Sequence, residues 1–253
     1  MKQLHQGVTF CHSFLGLPHV CGGGSNYEPF DECWQYSPSD DTWTMTSDQI
    51  PREVNSAAST YHPAWGIIMA GGISCQFCDE TTANVTTTKN AVDFEELAPM
   101  PTGISSTQHC IAAIDADTIF TTGLGIEEDE SFMYYRSTGQ WVSVPNLPTG
   151  RSGMGCGVVM DGSGRAEVVV VGGIDKDAFG LSGFLDTVEI FNVVEGSWRT
   201  GFSRTYDISS ETVQAPFFLS CSHQPLPCSK WLPGCRTGWR NFLRPWWLGR
   251  WSN

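Results

Sequence analysis

The stretch VCGGGSNYEPFDECW, residues 20–34, closes an apolar run on three glycines, crosses a polar loop and resumes at Cys33 and Trp34. It reads as a β-hairpin in which Val20 and Cys21 end one strand, Ser25 to Phe30 form the loop, and Cys33 to Tyr36 begin the next. Glycine at a strand exit permits positive φ and lets another backbone approach where a Cβ would obstruct it. Across an antiparallel pair, Cys21 and Cys33 face each other at a separation a disulfide can bridge.

The same pattern recurs along the chain. Apolar runs end at Gly23 and Gly24, at Gly71 and Gly72, at Gly123 and Gly125, and at Gly172 and Gly173; Gly24 to Gly72 is 48 residues, Gly72 to Gly123 is 51, and Gly123 to Gly173 is 50. An aromatic followed seven residues later by Trp keeps step, in Tyr36 and Trp43, Tyr134 and Trp141, and Phe191 and Trp198. The second repeat carries Phe94 in place of the Trp, with no aromatic seven residues before it. Pro51, Pro101 and Pro148 form a third landmark, absent from the fourth repeat. A fixed period of this size marks a repeat architecture whose units bury their faces on one another.

From about Val8 to about Arg204 these landmarks resemble the kelch repeat, and the resemblance implies an all-β, kelch-like β-propeller of about four four-stranded blades. Blade 1 is placed at 8–48, blade 2 at 49–99, blade 3 at 100–147 and blade 4 at 148–204. Residues 205–220 are assigned to a partial fifth blade, and 221–253 to an irregular, disordered basic tail rich in Trp. Runs such as Val168–Val171 and Ile67–Ala70 suit strands covered on both faces, and Trp43, Trp141 and Trp198 are expected to fill the space between blades. Closed kelch propellers commonly have more blades, so the ring is expected to be incomplete, with two apolar sheet faces left open.

Charge narrows the partners. The net charge is −13, yet all 27 acids and only nine of the 14 bases lie up to Glu211, so that body carries about −18. Such a surface repels phosphate backbones, which sets nucleic acid aside. No apolar run reaches the length of a membrane span. The first 21 residues imitate a signal peptide, but His12, Pro18 and His19 interrupt their apolar part. After Ser220 the chain holds no acid and five of its ten Trp; this tail does not read as a blade, resembles sequence foreign to the family, and is not expected to contact a membrane.

The expected function is a protein-interaction module that binds another protein, one with a basic surface, through its inter-strand loops, with no catalysis and no cofactor. The candidate binding residues are Glu127, Glu128, Asp129 and Glu130 in one loop, and Asp175 and Asp177 in another. Ten cysteines and the sequon at Asn84 tilt the setting toward the extracellular side. A Cys21–Cys33 bridge is expected, whereas Cys11, Cys110 and Cys156, at matching places in three first strands, read as small buried side chains. Cys75 and Cys78 form a lone CxxC without the context of a zinc ribbon or redox helix, and Cys221, Cys228, Cys235 and His223 lie in a stretch that fixes no geometry. The competing readings are an extracellular copper oxidase or carbohydrate-active propeller enzyme, for which His109, Cys110, Tyr61 and His62 are the local hints, and an inactive fragment of a longer adhesion or adaptor protein. No BTB-like helical region precedes the blades in this sequence.

Overall fold

A computed structural model describes residues 10–14, 16–25, 28–74, 82–102, 109–175 and 183–201. All the regular structure among them is strand. The first sheet is β1 (Phe10–Phe14), β2 (Leu17–Cys21), β5 (Glu32–Ser37) and β6 (Thr42–Gln49), with a small hairpin of β3 (Gly24–Ser25) and β4 (Glu28–Pro29) inserted in its central loop. The second is β7 (Ala58–His62), β8 (Gly66–Ala70), β9 (Val85–Thr88) and β10 (Phe94–Leu97), and the third is β11 (Cys110–Ala113), β12 (Thr118–Leu124), β13 (Glu130–Tyr135) and β14 (Gln140–Val144). A short strand β15 (Arg151–Ser152) precedes β16 (Gly155–Met160) and β17 (Ala166–Val171); β18 (Ile174–Asp175) pairs back on β15, and β19 (Val188–Asn192) and β20 (Ser197–Thr200) complete the fourth sheet.

Each sheet is an antiparallel meander, and the first strands of successive sheets lie side by side, β7 on β11 and β11 on β16. Between β1 and β7 the rings of His12 and Tyr61 stack at 4.4 Å. This is a propeller-like arrangement of four blades. Among the described residues, no ladder or hydrogen bond joins the first sheet to the fourth. The division at Ser220 sets Met1–Ser220 apart from Cys221–Asn253; the segments 205–220 and 221–253 lie outside the described residues.

Among the described residues the core forms three inter-blade layers. Phe10, Cys21 and Cys33 of blade 1 meet Ile67, Met69 and Phe94 of blade 2. Ile68, Ala70 and Val85 on the other face of blade 2 meet Ile111, Ile119, Phe132 and Tyr134 of blade 3. Phe120 and Met133, on blade 3's opposite face, meet Val168, Val170 and Phe191 of blade 4. Alternation along each strand therefore feeds two apolar layers, which explains why β8 and β12 are buried from end to end.

The landmarks have separate physical causes. Tyr36 and Trp43, Tyr134 and Trp141, and Phe191 and Trp198 are register partners across the last hairpin of their blades, with ring centroids 5.1 Å apart in all three pairs. Trp141 Nε1 donates to the Ala98 carbonyl at 2.9 Å and Trp198 Nε1 to the Pro145 carbonyl at 2.8 Å, so each indole bonds to the end of the preceding blade. In blade 2, Phe94 pairs with Thr88 across a hairpin one residue shorter, so the missing aromatic is a deletion in the turn as well as a substitution.

The proline landmark points to its neighbour. Ile50, Met100 and Leu147, each just before the proline, are 3%, 3% and 2% exposed. Their amides donate to the carbonyls of Asp31, Ala83 and Asp129 in the central loop of the blade just completed. Each is a plug that locks the chain as it crosses to the next blade, and proline after it imposes the extended conformation that the crossing needs.

Two expectations need correction. The glycine pair of blade 1 equivalent to Gly71–Gly72 (φ 66° and 97°) and Gly172–Gly173 (63° and 102°) is Gly22–Gly23 (66° and 96°), one residue earlier than Gly23 and Gly24. Gly24 instead opens β3. Cys110 and Cys156 are not merely small core residues: they form a disulfide that staples the first strands of blades 3 and 4, because matching positions on neighbouring inner strands come within bridging distance. Cys21 and Cys33, directly opposite in the β2–β5 ladder, form a second disulfide inside blade 1.

Candidate interaction surface

The loops that carried the sequence-based candidates meet at one residue. After the Leu147 plug the chain runs through Thr149 and Gly150 into β15. Arg151 is fully buried, and its amide donates to the Glu128 carbonyl at 3.0 Å. In the β15–β18 ladder it stands opposite Asp175. The acidic loop of blade 3 and the Asp175 loop of blade 4 therefore hang on either side of one strand. Asp177 lies outside the described residues.

All three nitrogens of the Arg151 guanidinium donate. Nε donates to the Thr149 carbonyl, Nη1 to the Gly172 carbonyl and to Thr187 Oγ1, each at 3.1 Å, and Nη2 to Glu189 Oε2 at 2.5 Å. Thr149 Oγ1 donates to the other Glu189 oxygen at 3.2 Å. Burial pulls the guanidinium below its ordinary pKa, and the negative charges of Glu189 and then Asp175 oppose that shift. Planar, bidentate-capable and always charged, arginine suits this mix of carbonyls and carboxylate better than lysine would. The sequence showed it only as the last letter of LPTGR.

Most of the acidic loop is turned to structural use. Glu128 is 7% exposed and takes a positive φ of 54°. Asp129 accepts from Asn146 Nδ2, and Glu130 accepts from Thr102 Oγ1. A Cβ placed on Gly150 would fall 2.1 Å from the Glu127 carbonyl oxygen, so only glycine lets the two segments approach this closely. Glu127 itself is exposed, beside Ile126 at 78% exposure. Across β15, Ile174 is 45% exposed and forms a β-bridge with Phe184, which is 71% exposed. The surface is thus a rim of outward apolar side chains edged by acid and carried on a buried ion pair. Sequence reasoning noticed the acids and passed over Ile126, Ile174 and Phe184, since isolated apolar residues in loops carry no signal until the fold brings their loops to either side of β15.

The remaining candidates fall elsewhere. Asn84 is half-buried just before β9, its carbonyl accepting from Gly71 and its amide donating to Thr82 Oγ1. His109 precedes β11, whereas Tyr61 and His62 close β7, so they sit at opposite ends of the first strand of a blade. Cys110 is held in its disulfide, Tyr61 stacks on His12, and His62 Nδ1 accepts from the Ala64 amide. These residues do not converge. No group of three or more His, Cys, Asp or Glu with metal-holding geometry occurs among the described residues; Cys75, Cys78, Cys221, His223, Cys228 and Cys235 lie outside them.

No protein-family model and no curated protein matches the chain. Among solved structures, that of YjhT is similar, with a TM-score of 0.58 at 12% identity, over 78% of this chain and 70% of that one. At that identity the likeness is one of fold, and it accords with the propeller-like stacking of the four sheets.

Proposed function

We propose that the chain is a kelch-type propeller segment that serves as a protein-interaction module, without catalysis, and that its contact surface is the rim of Ile126, Glu127, Ile174 and Phe184. The observation that carries this reading is the exposure of three large apolar side chains at 78%, 45% and 71% on loops anchored by the buried Arg151–Glu189 pair. Outward apolar groups held by a rigid frame suit burial by a partner, and rigidity lowers the entropy lost on binding. The partner is another protein, whose basic residues meet Glu127 and the net negative body. The two disulfides favour an oxidising compartment for this encounter.

The test is a paired affinity purification from the native source, comparing the wild-type chain with an Ile126→Ser/Phe184→Ser variant by quantitative mass spectrometry. Proteins depleted at least tenfold in the variant, and retained by a Val194→Ser control on a distant exposed turn, support the rim. Identical partner sets in all three samples would sink it.

A further inference from the structure

The two disulfides among the described residues differ in what they join and in what covers them. Cys21–Cys33 links β2 to β5, which already pair strand to strand within blade 1, and both cysteines are 0% exposed. Cys110–Cys156 links β11 to β16, the first strands of blades 3 and 4, which share no ladder. Cys110 is 1% exposed, inside the apolar layer between those blades, whereas Cys156 is half-buried at the margin of that layer. The next residue, Gly157, is exposed, and nothing lies within 4 Å of the place its Cβ would take. Thiol–disulfide exchange needs a thiolate to reach a sulfur, and the exposed bridges of a protein are its labile ones. Of these four cysteines, Cys156 is the one open to solvent.

A second observation concerns the state that opening leaves behind. Cys156 Sγ lies 3.7 Å from the Ile111 carbonyl oxygen of β11. A bridged sulfur has no proton to give, but a thiol has, and this carbonyl then accepts it. Cys110 remains covered by the layer that holds Phe120, Val168 and Phe191. Blade 4 also keeps its other ties to blade 3, since Phe120 stacks on Phe191 with centroids 4.9 Å apart and Trp198 Nε1 donates to the Pro145 carbonyl. Opening therefore releases only the first-strand side of the junction. That side runs back from Cys156 through the buried Met154 to Arg151, so the bridge fixes the far end of the segment that anchors the rim.

We infer that Cys110–Cys156 is a thiol-exchange site, entered at Cys156 by a small monothiol, and that its opening loosens the frame of the rim. The attacking thiolate bonds to Cys156 Sγ as the S–S bond breaks, and the electron pair passes to Cys110 Sγ, which takes a proton from water because burial disfavours the anion. A second thiolate attacks the outer sulfur of the mixed disulfide, and Cys156 leaves and is protonated. Two molecules of the small thiol are thereby oxidised to its disulfide, and the bridge is reduced to two thiols. The exchange chemistry stands whatever the contact surface is; its effect on the rim rests on the function proposed above.

The test treats the full folded chain with reduced glutathione, quenches at intervals by alkylation and maps each cysteine by mass spectrometry. Cys110 and Cys156 should open at least about tenfold faster than Cys21 and Cys33, and early samples should carry glutathione on Cys156 and none on Cys110. Cys110→Ser leaves Cys156 as an accessible thiol, which should take up glutathione from its oxidised form at least about tenfold faster than the covered Cys110 of Cys156→Ser does. The wild-type time course decides the matter should either variant fold poorly. Hydrogen exchange of the reduced chain should quicken about fivefold at the Arg151 and Leu185 amides, which bond to the Glu128 and Gly173 carbonyls, and stay unchanged at the Ile50 amide, bonded to Asp31. Equal opening of the two bridges, or glutathione appearing first on Cys110, overturns the inference; selective opening with no change at Arg151 and Leu185 overturns its link to the rim. The affinity purification tests the rim separately, and identical partner sets there would leave the exchange chemistry standing.

Discussion

Removing the Glu189 carboxylate should cost the protein a large share of its stability, and the structure sets the scale. Arg151 is 0% and Glu189 6% exposed at the side chain, and they meet at 2.5 Å. In Glu189→Gln the guanidinium keeps two backbone carbonyls and a hydroxyl, but its nearest counter-charge is gone, leaving Asp175 as the remaining negative group acting on it. Breaking one side of a buried pair costs about 3–5 kcal/mol, which is a fifth or more of the roughly 5–15 kcal/mol that stabilises a typical domain. Arg151→Met should lose a similar amount, since it strands a carboxylate held by the Thr149 hydroxyl. The double variant Arg151→Met/Glu189→Gln removes both charges and should cost no more than either single change. Urea unfolding of all four proteins gives the cycle, with an expected coupling of about 3 kcal/mol. Additive effects, with coupling below about 0.5 kcal/mol, would show that the pair is not the anchor of the rim and would refute the reasoning.

Three further outcomes follow from single sites. Gly72→Ala forces a Cβ to within 2.3 Å of Val54 Cγ2 at a φ of +97°, so it should cost several-fold more stability than Gly139→Ala, where φ is +67° and nothing lies within 4 Å; thermal melts of the two variants compare them. His109 is buried with both ring nitrogens lacking partners, and burial lowers its pKa to about 4. The unfolded chain therefore binds the extra proton between about pH 6.5 and 4, and stability should fall by up to about 3 kcal/mol as pH drops through that window; in His109→Leu this part of the pH slope in urea titrations should vanish. The Cys110–Cys156 bridge closes a separation of 46 residues and Cys21–Cys33 one of 12; by loop entropy the paired Cys→Ser variants should lose about 4 and about 3 kcal/mol respectively, and a larger loss at the shorter loop would contradict that account.

The blade itself was legible in the sequence because its markers are local. The hairpin from Val20 to Trp34 and the Tyr36–Trp43 pair are set by strand period and turn length, which any short window displays. What stayed hidden depends on neighbours in the ring. Cys110 and Cys156, at matching places in their first strands, read as small buried side chains, since their proximity exists only once blade 4 is laid beside blade 3. Arg151 drew no reading of its own in the sequence, and only the convergence of Gly172, Thr187 and Glu189 makes its burial tolerable. The acidic loop misled in the other direction. A run of four carboxylates reads as a solvated tip, yet Asp129 and Glu130 accept from Asn146 and Thr102, and the backbone at Asp129 and Glu128 receives Leu147 and Arg151.

The chain's own glycines separate the frame from the turns. Two residues before the Trp of each aromatic pair the hairpin takes a positive φ, at Gly139 (67°) and Gly196 (61°), but also at Asp41 (52°). Around Gly139 and Gly196 the space is empty, so that position asks only for a left-handed turn, and an aspartate fulfils it. At the strand exits the demand is different in kind. A Cβ on Gly72, Gly123 or Gly173 would meet Val54, Met154 or the Ser152 carbonyl at 2.3, 2.5 and 2.8 Å. Val54 and Met154 belong to the segments that carry the chain into the next blade, and Ser152 to the β15 strand beside Arg151. A residue that merely tolerates positive φ would fail there. The repeat spacing is therefore kept by the packing of crossing segments against strand exits, and the same crossings that fix the blades carry the anchor of the rim.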